Sequence, residues 1–269
     1  MKTNRSTWSF LGLVLAALIL VEGCAKVPVT GRRQLNIVSA DEEMKLGLTS
    51  FDQMKTNTPV SHDPTANATV QRVGKRIAAV AGRDLPNAQW EFVVFDSKEA
   101  NAFCLPGGKV GVYTGLLPIA KDDSGLATVL GHEIGHAVAH HGSERMTDAT
   151  AMQGLGQVVG SALDPKYHDV AMLAYGGISK VGVELPFSRK QESEADHIGI
   201  IYMARAGYDP AQAIEFWQRF SDYNKQQGGG KNSWYAKFLS THPLDEARIA
   251  DLKRLLPEAQ AEFAKSKPK

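Results

Sequence analysis

Apolar positions recur at helical spacing along most of the chain and alternate as in a strand only in one short region. Met44, Leu48, Phe51 and Met54 form one helical stripe, opened by Ser39 with Glu42 three residues on, the pattern of a capping box. A second helix is predicted from Asp63-Pro64, with Val70, Val73, Ile77 and Val80 on one face and Gly82 past its end. The runs Trp90 to Phe95 and Lys109 to Thr114 are β-branched and aromatic. Joined through Asn101-Ala102-Phe103-Cys104-Leu105-Pro106-Gly107-Gly108, they predict a small antiparallel sheet. Asp122, Asp123 and Ser124 then offer N-caps for a helix whose stripe is Leu126, Val129, Leu130, Ile134, Ala137 and Val138, with Gly142 as its expected stop. Ser188 and Gly207 bound another helix, Asp209-Pro210 opens the next with Ile214, Trp217 and Phe220, and Ile249, Leu252 and Leu256 mark the last. The pattern predicts an α+β domain that is mostly helical, its small sheet lying beside the helix of residues 122–142.

Two stretches between these helices are small and apolar, Glu144 to Leu163 and Val170 to Val183. Neither offers the roughly 20 apolar residues of a membrane-spanning helix, so both are expected to pack within the domain, with a hairpin over the cleft or against lipid as the alternative. Gln226 to Asn232, with Gly228-Gly229-Gly230, predicts a mobile loop.

The amino terminus is different in kind. Lys2 and Arg5 precede an uncharged apolar run from Trp8 to Val21, which has the plan of a signal peptide. It ends at Val21-Glu22-Gly23-Cys24, which resembles the bacterial lipoprotein box. The expected organisation is a signal peptide over residues 1–23, acylation of Cys24, a tether over 24–38 and one domain over 39–269, with ordinary cleavage after Ala25 or an uncleaved anchor as the alternatives. The resemblance to lipoproteins, with Ala25 where inner-membrane retention signals carry Asp, implies an outer-membrane anchor facing the periplasm, and Cys104 would be the remaining thiol. With 43% hydrophobic and 22% charged residues the chain can bury a sizeable core. Thirty Lys+Arg balance twenty-nine Asp+Glu, and no basic run tracks a phosphate backbone, so nucleic acid is not an expected partner.

The chemistry centres on His132-Glu133-Ile134-Gly135-His136. In a helix the two histidines stand one turn apart on one face and reach a single ion. An open zinc site takes three protein ligands and keeps a position for water, whose proton Glu133 is placed to accept. Glu192 and Asp196 share a helix face in the segment Glu192-Ser193-Glu194-Ala195-Asp196, so one carboxylate can bind the ion while the other fixes an imidazole tautomer. His242, held extended before Pro243, and Arg248 are candidates to stabilise the developing oxyanion. His242 has two other readings: a latch that takes the ion's open position, or a structural turn.

Together with Asn101-Ala102-Phe103, Pro106-Gly107-Gly108 and Thr241-His242-Pro243, these motifs make the chain similar to gluzincin metallopeptidases of the CAAX prenyl endopeptidase and HtpX type. The likeness extends to the soluble periplasmic branch that includes BepA and small outer-membrane lipoprotein proteases. The resemblance implies a zincin-type fold and one zinc ion on His132, His136 and Glu192. It also implies Glu133 as general base and Asp196 bracing a ligand from behind. Asn101, Ala102, Phe103, Gly107 and Gly108 are expected at the cleft, where a rim strand pairs with extended substrate. It further implies protein substrates of the cell envelope, misfolded or misassembled, and the outer-membrane protein assembly machinery as a partner. The membrane helices of the prenyl endopeptidase and HtpX branches and the helical repeats of BepA are absent from the sequence. A metzincin extension fails too, because Ala139 and Gly142 stand where its glycine and third histidine belong, and His140 and His141 are expected as helix-end residues. The rival function is a zinc-stabilised, chaperone-like lipoprotein that assists outer-membrane protein assembly and cuts little.

Overall fold

The computed structural model describes residues 24–148, 150, 151, 188–226, 242 and 246–266. In chain order its elements are β1 (Cys24–Lys26), β2 (Arg33–Leu35), α1 (Ala40–Asn57), α2 (Pro64–Ala81), β3 (Glu91–Phe95), β4 (Ala102–Leu105) and β5 (Lys109–Tyr113). There follow a 3₁₀ turn (Thr114–Leu116), α3 (Leu117–Ala120), α4 (Asp123–Val138), α5 (Arg189–Arg205), α6 (Ala211–Gln226) and α7 (Glu246–Ser266). The fold is the expected mostly helical α+β domain. Most expected helix starts are present as caps. Ser39 with Glu42 and Ser188 with Gln191 make full capping boxes, and the Asp63 and Asp122 carboxylates accept from the first-turn amides of α2 and α4.

The sheet differs in one respect from its prediction. Its order is β3-β5-β4, with β3 parallel to β5 and only β4 antiparallel to it. The connection between the two predicted runs contains a strand of its own, β4, and that extra reversal turns the pair parallel. β4 returns through Pro106-Gly107-Gly108, where both glycines have positive φ (82° and 79°), which makes a two-glycine reversal easy.

Helix α4 is buried along its whole length from Gly125 to Val138, including the polar residues Thr128, His132, Glu133 and His136. It packs on α2, α5 and α6 and runs beside β4. Its contact with α5 is unusually close because small residues meet along it. A Cβ added to Gly131 would lie 2.8 Å from Gly199 O, and one added to Gly135 would lie 2.8 Å from Ala195 O. Trp217, Phe216 and Phe220 of α6 and Tyr202 of α5 belong to the main core. A smaller cluster of Phe51, Phe95 and Tyr113, with Phe103 against it, joins α1 to the sheet.

Helix α4 stops at Val138, short of Gly142. His140 takes a left-handed φ of 51°, its ring bonded to Glu43 of α1 at 2.7 Å, and helix resumes over 141–148 with Gly142 inside it. Residues 24–35, expected as an extended tether, instead form the β1–β2 hairpin. Val27 is buried there and Arg32 is ion-paired to the domain. Most of the two apolar stretches, and the glycine-rich loop from residue 227 on, lie outside the described residues. Among the described residues no helix is long and apolar enough to cross a membrane.

Candidate active site

The Gly131–Gly199 seam brings one face of α4 within side-chain reach of one face of α5, and that proximity builds the site. His132 Nε2 and His136 Nε2 are 3.1 Å apart. Glu192 Oε1 lies 3.3 Å from His136 Nε2, and Glu192 Oε2 lies 3.4 Å from His132 Nε2. His242 Nδ1 completes the group at 3.1 Å from Glu192 Oε1 and 3.3 Å from His132 Nε2. All four residues are buried, and their ligand atoms fall within 4.8 Å of one another.

This set fits zinc. Vertices about 2.0–2.1 Å from the centre of a tetrahedron are separated by roughly 3.3 Å, the spacing seen here, and three imidazoles with a carboxylate are donors zinc accepts. Glu192 is held ionised: burial opposes its charge, but the surrounding imidazoles of His132, His136 and His242 outweigh burial and pull its pKa far down. Burial in turn keeps His136 neutral, the form that offers a lone pair.

Behind the ligands stands a layer of charge. Asp196 Oδ1 lies 2.9 Å from His132 Nδ1. A carboxylate only accepts, so Nδ1 carries the hydrogen and Nε2 is left free for the ion. Arg248, expected as an oxyanion donor, has its guanidinium directed at the carboxylates. Its Nε and one terminal nitrogen each donate to Asp196 at 2.8 Å, the other terminal nitrogen is 2.7 Å from Glu192 Oε2, and the group stacks on Trp217 at 4.6 Å. It is buried to 2% exposure, so this is a desolvated cation that bonds Asp196 through two nitrogens and is ion-paired to Glu192.

Glu133 projects from α4 beside the quartet. Its Oε1 is buried without a hydrogen bond among the described residues and lies 3.5 Å from His242 Nε2. Burial raises its pKa above the ordinary carboxylate range, against the pull of His242 and His132. β4 is an edge strand of the sheet and runs alongside α4, and the Cys104 thiol feels the charge of Glu133. Of the residues expected at the cleft, Asn101 precedes β4 and its carbonyl accepts from Tyr113 N at 2.9 Å. Ala102 is buried, and Phe103 packs its ring among Phe51, Phe95 and Tyr113. Gly107 and Gly108 are placed at the far end of that strand, where their near neighbours are Met44, Ala88 and Trp90 and not the metal ligands. Cys24, the expected acylation point, begins β1 with its backbone paired to Leu35.

One group escaped the sequence reading. His141, expected at a helix end, is fully buried with Nδ1 2.8 Å from His136 Nδ1, and Glu194 takes its Nε2 at 3.0 Å. The signal was present in the adjacent pair His140-His141, but placing His141 back on His136 needs the left-handed turn at His140, which helical periodicity does not announce.

The family model for peptidase family M48 matches residues 64–256, the span that carries all four residues of this group. The chain belongs to peptidase family M48. It is a zinc metalloendopeptidase, acting on protein or peptide substrates. Among its relatives is the mitochondrial metalloendopeptidase OMA1 of Schizosaccharomyces pombe, 36% identical over 96% of this chain and 74% of that protein. The OMA1 protein of Saccharomyces cerevisiae is 31% identical over 98% of this chain and 78% of its own length. The Beta-barrel assembly-enhancing protease of Escherichia coli K12 is 27% identical over 84% of this chain and 46% of that protein. The expected likeness to the periplasmic branch is thus joined by one to mitochondrial enzymes.

Proposed function

We propose that this M48 enzyme cleaves misfolded or misassembled proteins of the periplasm and outer membrane, with Glu133 as its general base and a lipid on Cys24 as its anchor. The observation that carries the catalytic part is Glu133 Oε1, a buried carboxylate oxygen without a hydrogen bond among the described residues, next to a buried group of four potential metal donors. When bound, zinc polarises the scissile carbonyl and acidifies a water at the site. Glu133 accepts that water's proton and returns it to the leaving amine, a task suited to a carboxylate whose pKa is raised. His132, His136 and Glu192 hold the ion, and Asp196 and Arg248 keep His132 and Glu192 in their orientations. The edge of β4 receives the substrate as an added strand, through the backbone of Ala102, since Asn101 turns its carbonyl to Tyr113 N of β5.

For His242 the geometry supports the latch. Its Nδ1 stands at the fourth corner of the donor set, the corner that substrate and water need, so its ring has to withdraw before turnover. The envelope location is supported by the signal-like residues 1–23 and the lipoprotein-like box at Cys24, and by the relative named for β-barrel assembly. The relatives named as mitochondrial carry the same domain in another compartment, so location rests on the amino terminus.

Glu133→Gln tests the reading. The variant is expected to retain zinc and to lose on the order of 10²–10⁴-fold in casein cleavage. Undiminished cleavage rejects the mechanism. A zinc site closed by four protein ligands also suits the second reading, a zinc-stabilised assembly factor. That reading predicts that Glu133→Gln supports outer-membrane assembly as well as the unaltered protein does. Intact mass of the membrane-extracted protein checks acylation of Cys24, and Cys24→Ser is expected to abolish it.

A further inference from the structure

We propose that Glu194 and His141 position the metal ligand His136, and that the β1–β2 hairpin holds this pair in place from the amino-terminal side. The proposal rests on the zinc reading of the site. It adds residues that the ligand set does not include and a segment that lies outside residues 64–256 matched by the family.

Hydrogen positions decide the order of donors and acceptors. His136 turns Nε2 toward the other ligands, so its remaining nitrogen, Nδ1, has to bear the hydrogen if Nε2 is to offer a lone pair. That Nδ1 lies 2.8 Å from His141 Nδ1. Two ring nitrogens share a hydrogen bond only when one donates and the other accepts. His141 Nε2 lies 3.0 Å from Glu194 Oε2, and a carboxylate only accepts, so the hydrogen of a neutral His141 sits on Nε2 and its Nδ1 is the acceptor. The order is therefore complete: Glu194 accepts from His141, His141 accepts from His136, and His136 presents its lone pair to the ion. His132 reaches the same end directly through Asp196, whereas His136 reaches a carboxylate through a second imidazole.

Glu194 has little freedom to leave. Thr30 Oγ1 donates to its Oε1 at 2.5 Å and Arg32 Nε donates to its Oε2 at 2.6 Å, both from the hairpin connection. Arg32 extends to Glu144 as well, which in turn accepts from Gln191 in the first turn of α5. His141 is fully buried and Glu194 is 7% exposed, so water does not readily replace a lost partner. The segment that follows Cys24 thus bears on a zinc ligand through three side chains, Arg32, Glu194 and His141.

The experiment is a chelator-competition titration of zinc on the full chain, beside His141→Phe, Glu194→Gln, the double variant and Arg32→Ala. Loss of partners that brace metal ligands lowers metal affinity about 10–100-fold, and that loss is expected for His141→Phe and Glu194→Gln. Because the two act in series, the double variant is expected to bind no more weakly than His141→Phe alone. Arg32→Ala is expected to show a smaller loss of the same sign, partly restored in Arg32→Lys. If the unaltered protein binds no zinc, the metal reading of the site fails. If it binds zinc while both single variants stay within about twofold of it, or if their losses add in the double variant, the positioning role is overturned. Long-range ¹H–¹⁵N spectra of the unaltered zinc protein give an answer that does not depend on a variant folding. His141 protonated on Nε2 is expected, and His141 protonated on Nδ1 alone overturns the proposal.

Discussion

Gly199 lies so close to Gly131 that a Cβ on Gly199 would sit 2.8 Å from the Gly131 carbonyl carbon and 2.8 Å from the His132 amide nitrogen. Both neighbours are backbone and cannot swing aside, so the two helices carrying the metal donors are locked at a distance only glycine permits. Gly199→Ala is expected to cost about 1–3 kcal/mol through overpacking and to weaken zinc binding by moving Glu192 away from the histidines. Gly142, helical with nothing within 4 Å of its would-be Cβ, is the control, and Gly142→Ala is expected to be neutral or slightly stabilising. Urea midpoints of the two variants check the contrast.

If His242 is the latch, His242→Ala opens the fourth corner of the donor set and basal casein cleavage rises. A fall in kcat with zinc content unchanged would instead give His242 the oxyanion role.

Arg248→Met keeps the stacking volume over Trp217 but leaves Asp196 and Glu192 as buried carboxylates without their cation. Breaking a buried pair from one side costs on the order of 3–5 kcal/mol. Thermal melting is expected to show that loss most strongly in the zinc-free protein, because bound zinc neutralises part of the same charge. A melting temperature unchanged in the zinc-free form would refute it.

Removing zinc removes a ligand that binds only the folded chain. At a free concentration a thousand times Kd such a ligand contributes about 4.1 kcal/mol. Treatment with 1,10-phenanthroline is therefore expected to lower the melting temperature and abolish cleavage, with both restored by added zinc.

The hairpin carries its own pH dependence through Glu144. Burial raises the pKa of this carboxyl, but bonds from Arg32 and Gln191 outweigh burial and bring it below its ordinary 4.5, with His141 also favouring the charge and Asp148 opposing it. A depressed carboxyl stabilises the fold above its unfolded pKa, and that contribution is lost as the pH falls through the lower, folded value. Protection factors of residues 24–35, taken relative to the intrinsic exchange rate at each pH, are therefore expected to be steady from neutral pH down to about 5 and to fall below 4.5. Protection that persists to the pH of global unfolding would exclude the Glu144 contact as its source.

Local signals in the chain were enough for most of the helices and for the helix faces on which the candidate metal donors stand. Apolar spacing and capping residues are short-range properties, so Ser39, Asp63, Asp122 and Ser188 mark their helix starts whatever lies around them. The pairing of His132 with His136 follows from helix geometry alone, and the shared face of Glu192 and Asp196 likewise. Only the folded chain decides where those faces meet. The parallel sense of β3 and β5 depends on β4, too short and weakly patterned to be seen as a strand. The placement of His141 depends on one left-handed residue, and Arg248 turns inward because two buried carboxylates from another helix need a cation. Contacts between groups far apart in sequence leave no periodic trace, and the apparatus that braces the zinc ligands consists almost wholly of such contacts.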